Sequence, residues 1–165
     1  MKKNIAIIMG GYSSEVEISL KSGAVVYKHL DTKKYTAYKV HILKDKWVCL
    51  DDNNNEFLIN KGDFSTTINT TKITFDCAFN TIHGTPGEDG HIQGYLALLG
   101  IPQTSCNMYQ AALTFNKRDL LSVLRPYKIP MATSVFYDEG DAINSEDIAH
   151  KVGLPCFVKA NRAGS

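Results

Sequence analysis

The sequence predicts an α/β fold organised around a parallel β-sheet. Residues 4–9 form a short, mostly apolar run, which is typical of a buried parallel strand. Gly10 and Gly11 end this run, and a helical pattern follows them. Residues 73–82 form a second apolar-rich strand, which again leads through a glycine-rich turn into a helix. Strands that alternate with helices in this way favour a parallel sheet with helices on its faces.

The first helix is predicted to begin near Ser14, because Ser14 and Glu17 have the spacing of a capping box. The turn before it lies at the carboxyl end of a strand, which is where open α/β folds bind ligands. Glu15 adds a carboxylate to this edge, so a cationic group such as a substrate ammonium is a suitable partner. The apolar face of the helix is predicted from residues spaced three or four apart, which are Val16, Leu20, Ala24, Tyr27 and Leu30.

A ligand site and an ordinary turn are both compatible with this stretch taken alone. An acidic residue in a first helical turn also complements the helix dipole, and Gly-Gly pairs are common in turns between strands and helices. The stretch is neither a dinucleotide-binding GxGxxG fingerprint nor a P-loop, since the glycine spacings differ and no GK[ST] follows.

The segment between the two strand–helix units is predicted to be partly β-structured. Residues 35–43 alternate between polar and apolar side chains and predict the second strand. The Asp and Asn residues at 51–55 predict a turn, so residues 47–50 and 57–60 are expected to pair as a hairpin. Residues 61–71 are rich in Thr, Asn and Ser and are expected to form a surface loop.

The pattern of predicted secondary-structure elements changes near Ser105, where a domain boundary is predicted. Residues 1–105 form the first predicted domain, and residues 106–165 form a second one that looks unfinished. The second domain is predicted to contain helices and β segments in alternation, with helices over residues 108–115, 117–124 and 146–152 and β segments over residues 133–137 and 156–160.

Composition excludes several classes of protein. The chain has 165 residues, 44% of them hydrophobic, which is enough for a folded core. Its 18 basic and 17 acidic residues form no basic cluster, so nucleic acid is not expected as a partner. The apolar run that ends at Met9 is too short for a signal peptide, and no later run could span a membrane. The four cysteines lack CxxC spacing and are expected to be reduced, so a soluble, cytoplasmic protein is predicted.

A second stretch with chemical character, HGTPGEDGHIQG, covers residues 83–94. A strand delivers His83 at its carboxyl end, and glycines let the following loop fold tightly over a ligand. The next helix is predicted to begin at residue 88 or 89 and to close at Gly100. If the two strands are neighbours, His83 and Glu15 face one crevice, where a histidine can orient a substrate or steady charge. A polar residue at a strand end, followed by an ordinary turn, is the competing interpretation.

Taken together, these stretches resemble the D-alanine–D-alanine ligases of the ATP-grasp superfamily. The matching motifs follow the family's order at close to its spacing: MGGxSxExExSL at residues 9–20, HGxxGEDGxxQG at 83–94, GIP at 100–102, NK at 116–117 and VKANRAGS at 158–165. Ala160 departs from the family's usual proline after the lysine, which alters backbone stiffness rather than chemistry. The resemblance runs along the whole chain but covers only about the first half of a ligase.

The resemblance implies a Rossmann-like pre-ATP-grasp domain with a parallel sheet, followed by the start of an α+β ATP-grasp domain. It also implies an ATP-dependent ligase that joins two D-alanines through an acyl phosphate, giving the dipeptide used in peptidoglycan. Mg²⁺ is an implied cofactor, with metal ligands expected beyond residue 165 and none in this chain. The family is typically a homodimer joined through its first domains.

The resemblance also assigns roles to individual residues. Glu15 would hold the ammonium of the first D-alanine, and His83 would lie at the substrate site and steady developing charge. Ser165 would match a serine linked to that glutamate through a tyrosine beyond residue 165. Lys117 and Lys159 would reach the phosphates of ATP, since a lysine is a point charge suited to phosphate. An exposed, solvated side chain is the alternative for each lysine.

Two other functions stay open at this point. One is a D-alanine–D-lactate or D-alanine–D-serine ligase, because the residues that select the second substrate lie beyond Ser165 in this family. The other is a non-catalytic α/β module that binds an amino acid. A sequence that stops within a binding-loop motif favours an interrupted enzyme, and the 165 residues alone are expected to be inactive.

Overall fold

The computed structural model of the chain describes residues 2–163. It divides the chain into two compact units, the first extending to Ala112 and the second running from Leu113 to Ala163. The domain boundary near Ser105 stays a prediction for the whole protein.

The first unit contains a seven-stranded mixed sheet with the order β6-β5-β4-β3-β2-β1-β7. β1 pairs in parallel with both β2 and β7, which confirms the predicted parallel core, whereas β2 to β6 pair antiparallel in sequence order. The strands are β1 (Lys3–Gly10), β2 (Tyr35–Ile42), β3 (Trp47–Leu50), β4 (Glu56–Asn60), β5 (Ser65–Ile68), β6 (Thr71–Ile73) and β7 (Cys77–Asn80). The expected hairpin is present as β3 and β4.

β1 is the central strand of the parallel core and is covered on both faces. Ala6 and Ile8 belong to a core cluster that includes Val40 of β2, and both side chains are fully buried. Ile7 and Met9, which point to the opposite face, lie in a second cluster with side chains from the first helix. Burial on both faces explains why the strand is a nearly continuous apolar run instead of an alternating one.

Two predictions about the strands after β4 are wrong. Residues 61–71 were expected to form a surface loop, but they contain β5 and part of β6. The reason is Phe64, which is fully buried and contacts the rings of Trp47 and Phe75 at centroid distances of 6.4 and 5.5 Å. Buried aromatic packing therefore outweighs the polar composition of this segment.

The strand expected over residues 73–82 is also interrupted, because β6 ends at Ile73 and β7 begins at Cys77. These two strands stand at opposite ends of the strand order, although only three residues separate them. The antiparallel strands must therefore curl back over the face of the parallel core. Asn4 of β1 fastens this return, donating from Nδ2 to the carbonyl of Thr74 over 3.0 Å.

The first unit also contains the helices α1 (Val16–His29) and α2 (His91–Leu98). The predicted capping box is absent, since no side chain caps α1 and Glu15 stands at its N-cap position. The predicted apolar face is partly wrong, because Ala24 is exposed while Ser19 and Gly23 are buried. The helix approaches β1 so closely that a Cβ at Gly23 would lie 2.6 Å from Cε of Met9. A side chain at position 23 would therefore require Met9 to shift.

α3 (Met108–Phe115), α4 (Lys117–Leu124) and α5 (Ser145–Val152) follow, with a short 3₁₀ turn after α4. All three helices agree with the predicted bounds within one residue. Asn116 separates α3 from α4 and caps α4, accepting a hydrogen bond from the backbone N–H of Asp119 over 3.1 Å.

The β segments expected over residues 133–137 and 156–160 are absent, and the second unit contains no strand among its described residues. The sequence favours strands there, but a strand needs a neighbour to hydrogen-bond with. Phe157 and Val158 are 91% and 98% exposed, so these apolar residues have no sheet to pack into. Within residues 2–163, no helix is long and apolar enough to cross a membrane.

Ser19 joins α1 to the parallel core. Its hydroxyl is fully buried, accepts from the backbone N–H of Gly10 and donates to the carbonyl of Thr81, each over 2.8 Å. One side chain therefore connects the end of β1, the first helix and the segment that follows β7.

The substitution Ser19→Ala is expected to destabilise the first unit, because it leaves two backbone groups without this partner. A buried polar group left unpaired costs roughly 1–3 kcal/mol. Ser122→Ala is a matched control, since Ser122 is exposed and its hydroxyl bonds only a carbonyl of its own helix. Urea unfolding of both variants tests the expectation. Equal unfolding midpoints for the two variants would contradict the bridging role of Ser19.

Candidate functional site

Two loops meet at the carboxyl edge of the parallel core. β1 and β7 are direct neighbours, with Ile8 opposite Asn80, so the segments that follow them begin side by side. One segment is residues 11–15, which lead into α1, and the other is residues 81–90, which lead into α2. The sequence-predicted condition, that the two strands are neighbours, is therefore met. Ligands of open α/β folds bind at this edge.

Direct hydrogen bonds hold these two loops together. The backbone N–H of Tyr12 donates to the carbonyl of Thr85 over 2.7 Å. The hydroxyl of Ser13 donates to the carbonyl of His83 over 2.9 Å and accepts from the N–H of Glu15 over 3.2 Å. Ser13 therefore fixes the start of α1 relative to His83.

Glu15 lies beside the second loop at the N-terminal end of α1. The position that a Cβ would take at Gly84 is 3.7 Å from Oε2 of Glu15, which places the carboxylate next to the Gly84 backbone. The side chain is half-buried, and it forms no ion pair with any residue in the described range 2–163. A carboxylate without an ion-pair partner is suited to receive a cationic group.

His83 is half-buried and contacts α1 through its ring. Its Nε2 atom lies 3.3 Å from the hydroxyl oxygen of Ser22. Glu15 and Ser22 are seven residues apart and so lie on the same side of the helix. Both side chains therefore belong to the side of α1 that faces the segment after β7.

The loop of residues 81–90 is closed by its own hydrogen bonds. Glu88 accepts from the N–H of Gly84 through Oε2 over 2.7 Å, so this carboxylate shapes the loop. Asn80 and Gln93 both donate to the carbonyl of Gly87, over 2.8 and 2.6 Å. These contacts hold the backbone of the loop in place next to Glu15.

Asp89 fastens the start of α2. Its carboxylate lies 2.8 Å from Nδ1 of His91. Burial alone would raise the pKa of Asp89, but hydrogen bonds from Thr85 and His91 outweigh it, and the pKa lies below its usual range. Asp89 is therefore a structural anion of the loop.

Lys117 and Lys159 both belong to the second unit. Lys117 is the first residue of α4, and its ammonium donates to the carbonyl of Ala163 over 2.8 Å. Lys159 is exposed, with its ammonium 5.7 Å from the ring centroid of Phe157. Neither lysine forms an ion pair with another residue of the described range. Ser165, the remaining predicted site residue, lies outside the described residues.

Sequence reasoning assigned no role to three serines that build this edge: Ser13, Ser19 and Ser22. Ser13 and Ser19 belong to the matched motif at residues 9–20, whereas Ser22 lies outside it. Two of them continue a pattern that begins at Glu15, because residues 15, 19 and 22 have the spacing of one helix face. We call Glu15, Ser19 and Ser22 the polar stripe of α1. A search for polar as well as apolar helical periodicity could have found it.

Mg²⁺ is the metal that the resemblance implies. Within residues 2–163, no group of three or more His, Cys, Asp or Glu side chains could hold a metal ion.

Gly84 supports the arrangement of the two loops in a way that can be tested. Its φ is +74°, and a Cβ there would lie 2.8 Å from the side chain of Ser13. Gly100 is a matched control, since its φ is +68° and a Cβ there would have no neighbour within 4 Å.

We expect Gly100→Ala to lose only the cost of a left-handed backbone, which is roughly 1–2 kcal/mol. Gly84→Ala is expected to lose a further 1–3 kcal/mol or so, because the methyl group overlaps Ser13. Unfolding free energies of the two variants measure the difference. Equal losses would mean that the loops do not pack as closely as described.

Comparisons with known proteins agree with this architecture. A solved structure of the D-alanine–D-alanine ligase from Coxiella burnetii matches with a TM-score of 0.84 at 28% identity, over 99% of this chain and 54% of that chain. The D-alanine–D-alanine ligase from Bacillus anthracis complexed with ATP matches with a TM-score of 0.68 at 28% identity, over 98% and 48% of the two chains.

Sequence relatives give the same result. A D-alanine–D-alanine ligase from Flavobacterium johnsoniae is 64% identical over 99% of this chain and 50% of its own length. The chain thus spans about half the length of the curated relatives it matches. The family model described as the N-terminus of D-Ala–D-Ala ligase matches residues 4–106, which is more than half of the chain. The chain therefore belongs to the D-alanine–D-alanine ligase family and corresponds to the N-terminal part of its members.

Proposed function

We propose that the full-length protein carrying this chain is an ATP-dependent D-alanine–D-alanine ligase that supplies the dipeptide for peptidoglycan precursors. The observation that carries this proposal is the carboxylate of Glu15, which lies beside Gly84 and forms no ion pair within residues 2–163. An amino-acid substrate brings an ammonium group that fits this carboxylate. Membership of the ligase family favours this function over a non-catalytic amino-acid-binding module.

The proposed reaction has two stages. A carboxylate oxygen of the first D-alanine takes the γ-phosphoryl group of ATP, giving an acyl phosphate and ADP. The amine of the second D-alanine then attacks the carbonyl carbon, so that a C–N bond forms, inorganic phosphate leaves and the nitrogen loses a proton. Catalysis of such a reaction depends mainly on positioning and on stabilising the developing charge.

The first substrate is placed by the two loops at the carboxyl edge. Glu15 holds the ammonium of the first D-alanine at the N-terminal end of α1. His83 lies on the neighbouring loop and donates a hydrogen bond to negative charge that develops on the substrate. Ser165 is proposed to connect to Glu15 through a tyrosine outside this chain.

The phosphate end of the reaction is assigned to the second unit. Lys117 and Lys159 carry positive charges without carboxylate partners among residues 2–163, which suits them to phosphate oxygens. ATP supplies the phosphoryl group, and a relative complexed with ATP has the same fold over this region. Mg²⁺ is proposed to be held by residues outside this chain.

D-Alanine is the proposed second substrate, because the 64% identical relative is named a D-alanine–D-alanine ligase. D-Lactate or D-serine is the alternative second substrate, and residues outside this chain would select among the three. We also propose a cytoplasmic homodimer joined through the first units. Ile18 and Val25 support this assembly, since they lie seven residues apart on α1 and are 53% and 59% exposed.

Glu15→Gln in the full-length enzyme keeps the size of the side chain and removes its charge. The substrate ammonium then loses a charged hydrogen bond, so binding of the first D-alanine is expected to weaken by roughly 1.5–3 kcal/mol. The KM for ATP is expected to change little. Steady-state kinetics with D-alanine and ATP varied separately measure both effects. An unchanged KM for the first D-alanine together with unchanged turnover removes Glu15 from the site.

Lys117→Ala and Lys159→Ala are each expected to impair the use of ATP, because each removes a positive charge from near the phosphates. Lys151→Ala is the control, since Lys151 is an exposed residue of α5 to which no role is assigned. ATP-dependent phosphate release and thermal unfolding are measured for all three variants. Wild-type activity in the first two variants refutes their assignment, and a large loss of melting temperature points to a structural role instead.

A further inference from the structure

Ser22 touches the ring of His83 from the polar stripe of α1. Its hydroxyl oxygen lies 3.3 Å from Nε2, and no other hydrogen bond to a residue in the range 2–163 involves this hydroxyl. The carbonyl of His83 is held separately by Ser13 over 2.9 Å. The backbone and the ring of His83 therefore each have their own serine.

The contact has two possible proton arrangements. A neutral imidazole carries one N–H, on either Nδ1 or Nε2, and the other nitrogen is an acceptor. If Ser22 donates to Nε2, the ring proton is on Nδ1. If Ser22 accepts from an Nε2–H group, Nδ1 is left as an acceptor. The serine thus influences which nitrogen carries the proton.

The chemistry assigned to His83 distinguishes the two arrangements. No hydrogen bond from the described residues reaches Nδ1, so this nitrogen is the polar atom that the ring has available for a ligand. Negative charge on a substrate carboxyl group is stabilised by a donor and repelled by a lone pair. Only donation by Ser22 to Nε2 gives a neutral ring with an N–H group at Nδ1.

We propose that Ser22 is a positioning residue that holds His83 in the tautomer with its proton on Nδ1, ready to donate to the carboxyl group of the first substrate. This assignment rests on the proposed ligase function. Ser22 does not touch the substrate in this account, and it acts only through the histidine ring. In the polar stripe, Glu15 is then the partner of a cation, Ser19 bridges two backbone groups and Ser22 orients the ring of His83.

The test compares the full-length protein with Ser22→Ala, which removes the hydroxyl group, and Ser22→Thr, which retains it. Ser122→Ala is the matched control, because it makes the same change at an exposed helical serine. Long-range ¹H–¹⁵N spectra of ¹⁵N-histidine protein, at mildly alkaline pH where histidine is neutral, report the tautomer. His83→Gln identifies the His83 signal among those of the other histidines.

In the parent protein, the His83 signals are expected to show a protonated Nδ1 and an unprotonated Nε2. Ser22→Ala is expected to shift the population towards the other tautomer and to lower kcat about fivefold, the effect of one lost neutral hydrogen bond. The KM for ATP is expected to stay unchanged. Ser22→Thr restores the parent spectrum and turnover, and Ser122→Ala alters neither.

Unchanged tautomer signals in Ser22→Ala overturn the proposal, whatever happens to turnover. A shifted tautomer with unchanged turnover overturns the positioning role as well. Absence of D-alanine-dependent phosphate release in the parent protein would instead contradict the proposed ligase function. The spectra would still decide whether Ser22 sets the tautomer, so the two failures can be distinguished.

Discussion

The buried hydroxyl of Ser19 is the contact on which the arrangement of the first unit depends. It accepts from Gly10 and donates to Thr81, so it satisfies the last N–H of β1 and a carbonyl just beyond β7 with one side chain. The contact with Gly10 is buried and the contact with Thr81 is partly buried, and polar groups left unpaired in such places are costly. The contact also fixes the rotation of α1, because a serine reaches both partners from only one face of the helix.

Rotation of α1 decides which other side chains meet the segment after β7. With Ser19 facing the sheet edge, residues four before and three after it lie on the same side, and these are Glu15 and Ser22. Glu15 comes to lie beside Gly84, and Ser22 reaches the ring of His83. The hydrogen bonds of Ser19 therefore also place the two α1 side chains of the candidate site, because all three residues lie on one side of the helix. Close packing of Gly23 on Met9 permits the short approach that all three contacts need.

Local patterns were sufficient to predict the elements whose signals are local. The β1 strand, the β3–β4 hairpin and the α3–α4 break at Asn116 follow from apolar runs, turn residues and a capping residue. The β5–β6 pairing could not be predicted, because it depends on Phe64 packing against aromatic rings that are distant in sequence. The strand predicted over residues 156–160 is absent for the converse reason, since a β-favouring sequence forms no strand without a partner strand.

The candidate site was predictable only where its residues give a local signal in the sequence. Glu15 and His83 lie next to strand ends, so the rule on sheet edges locates them. The roles of Ser19 and Ser22 depend on contacts that become visible only once the rotation of α1 about its axis is known. The shared edge is also where the central claim can be tested, namely that the charge of Glu15 selects a first substrate with an ammonium group.

The most direct measurement is the ratio of kcat/KM for D-alanine to that for D-lactate as first substrate. Hydroxylamine can trap the activated carboxyl group in the full-length enzyme. D-Lactate has a hydroxyl group where D-alanine has an ammonium, so the ratio isolates that group. We expect a large ratio in the parent enzyme and a fall of about tenfold or more in Glu15→Gln, since the charged interaction is worth roughly 1.5–3 kcal/mol. An equal ratio in the two enzymes would contradict the role of Glu15 in selecting the ammonium group.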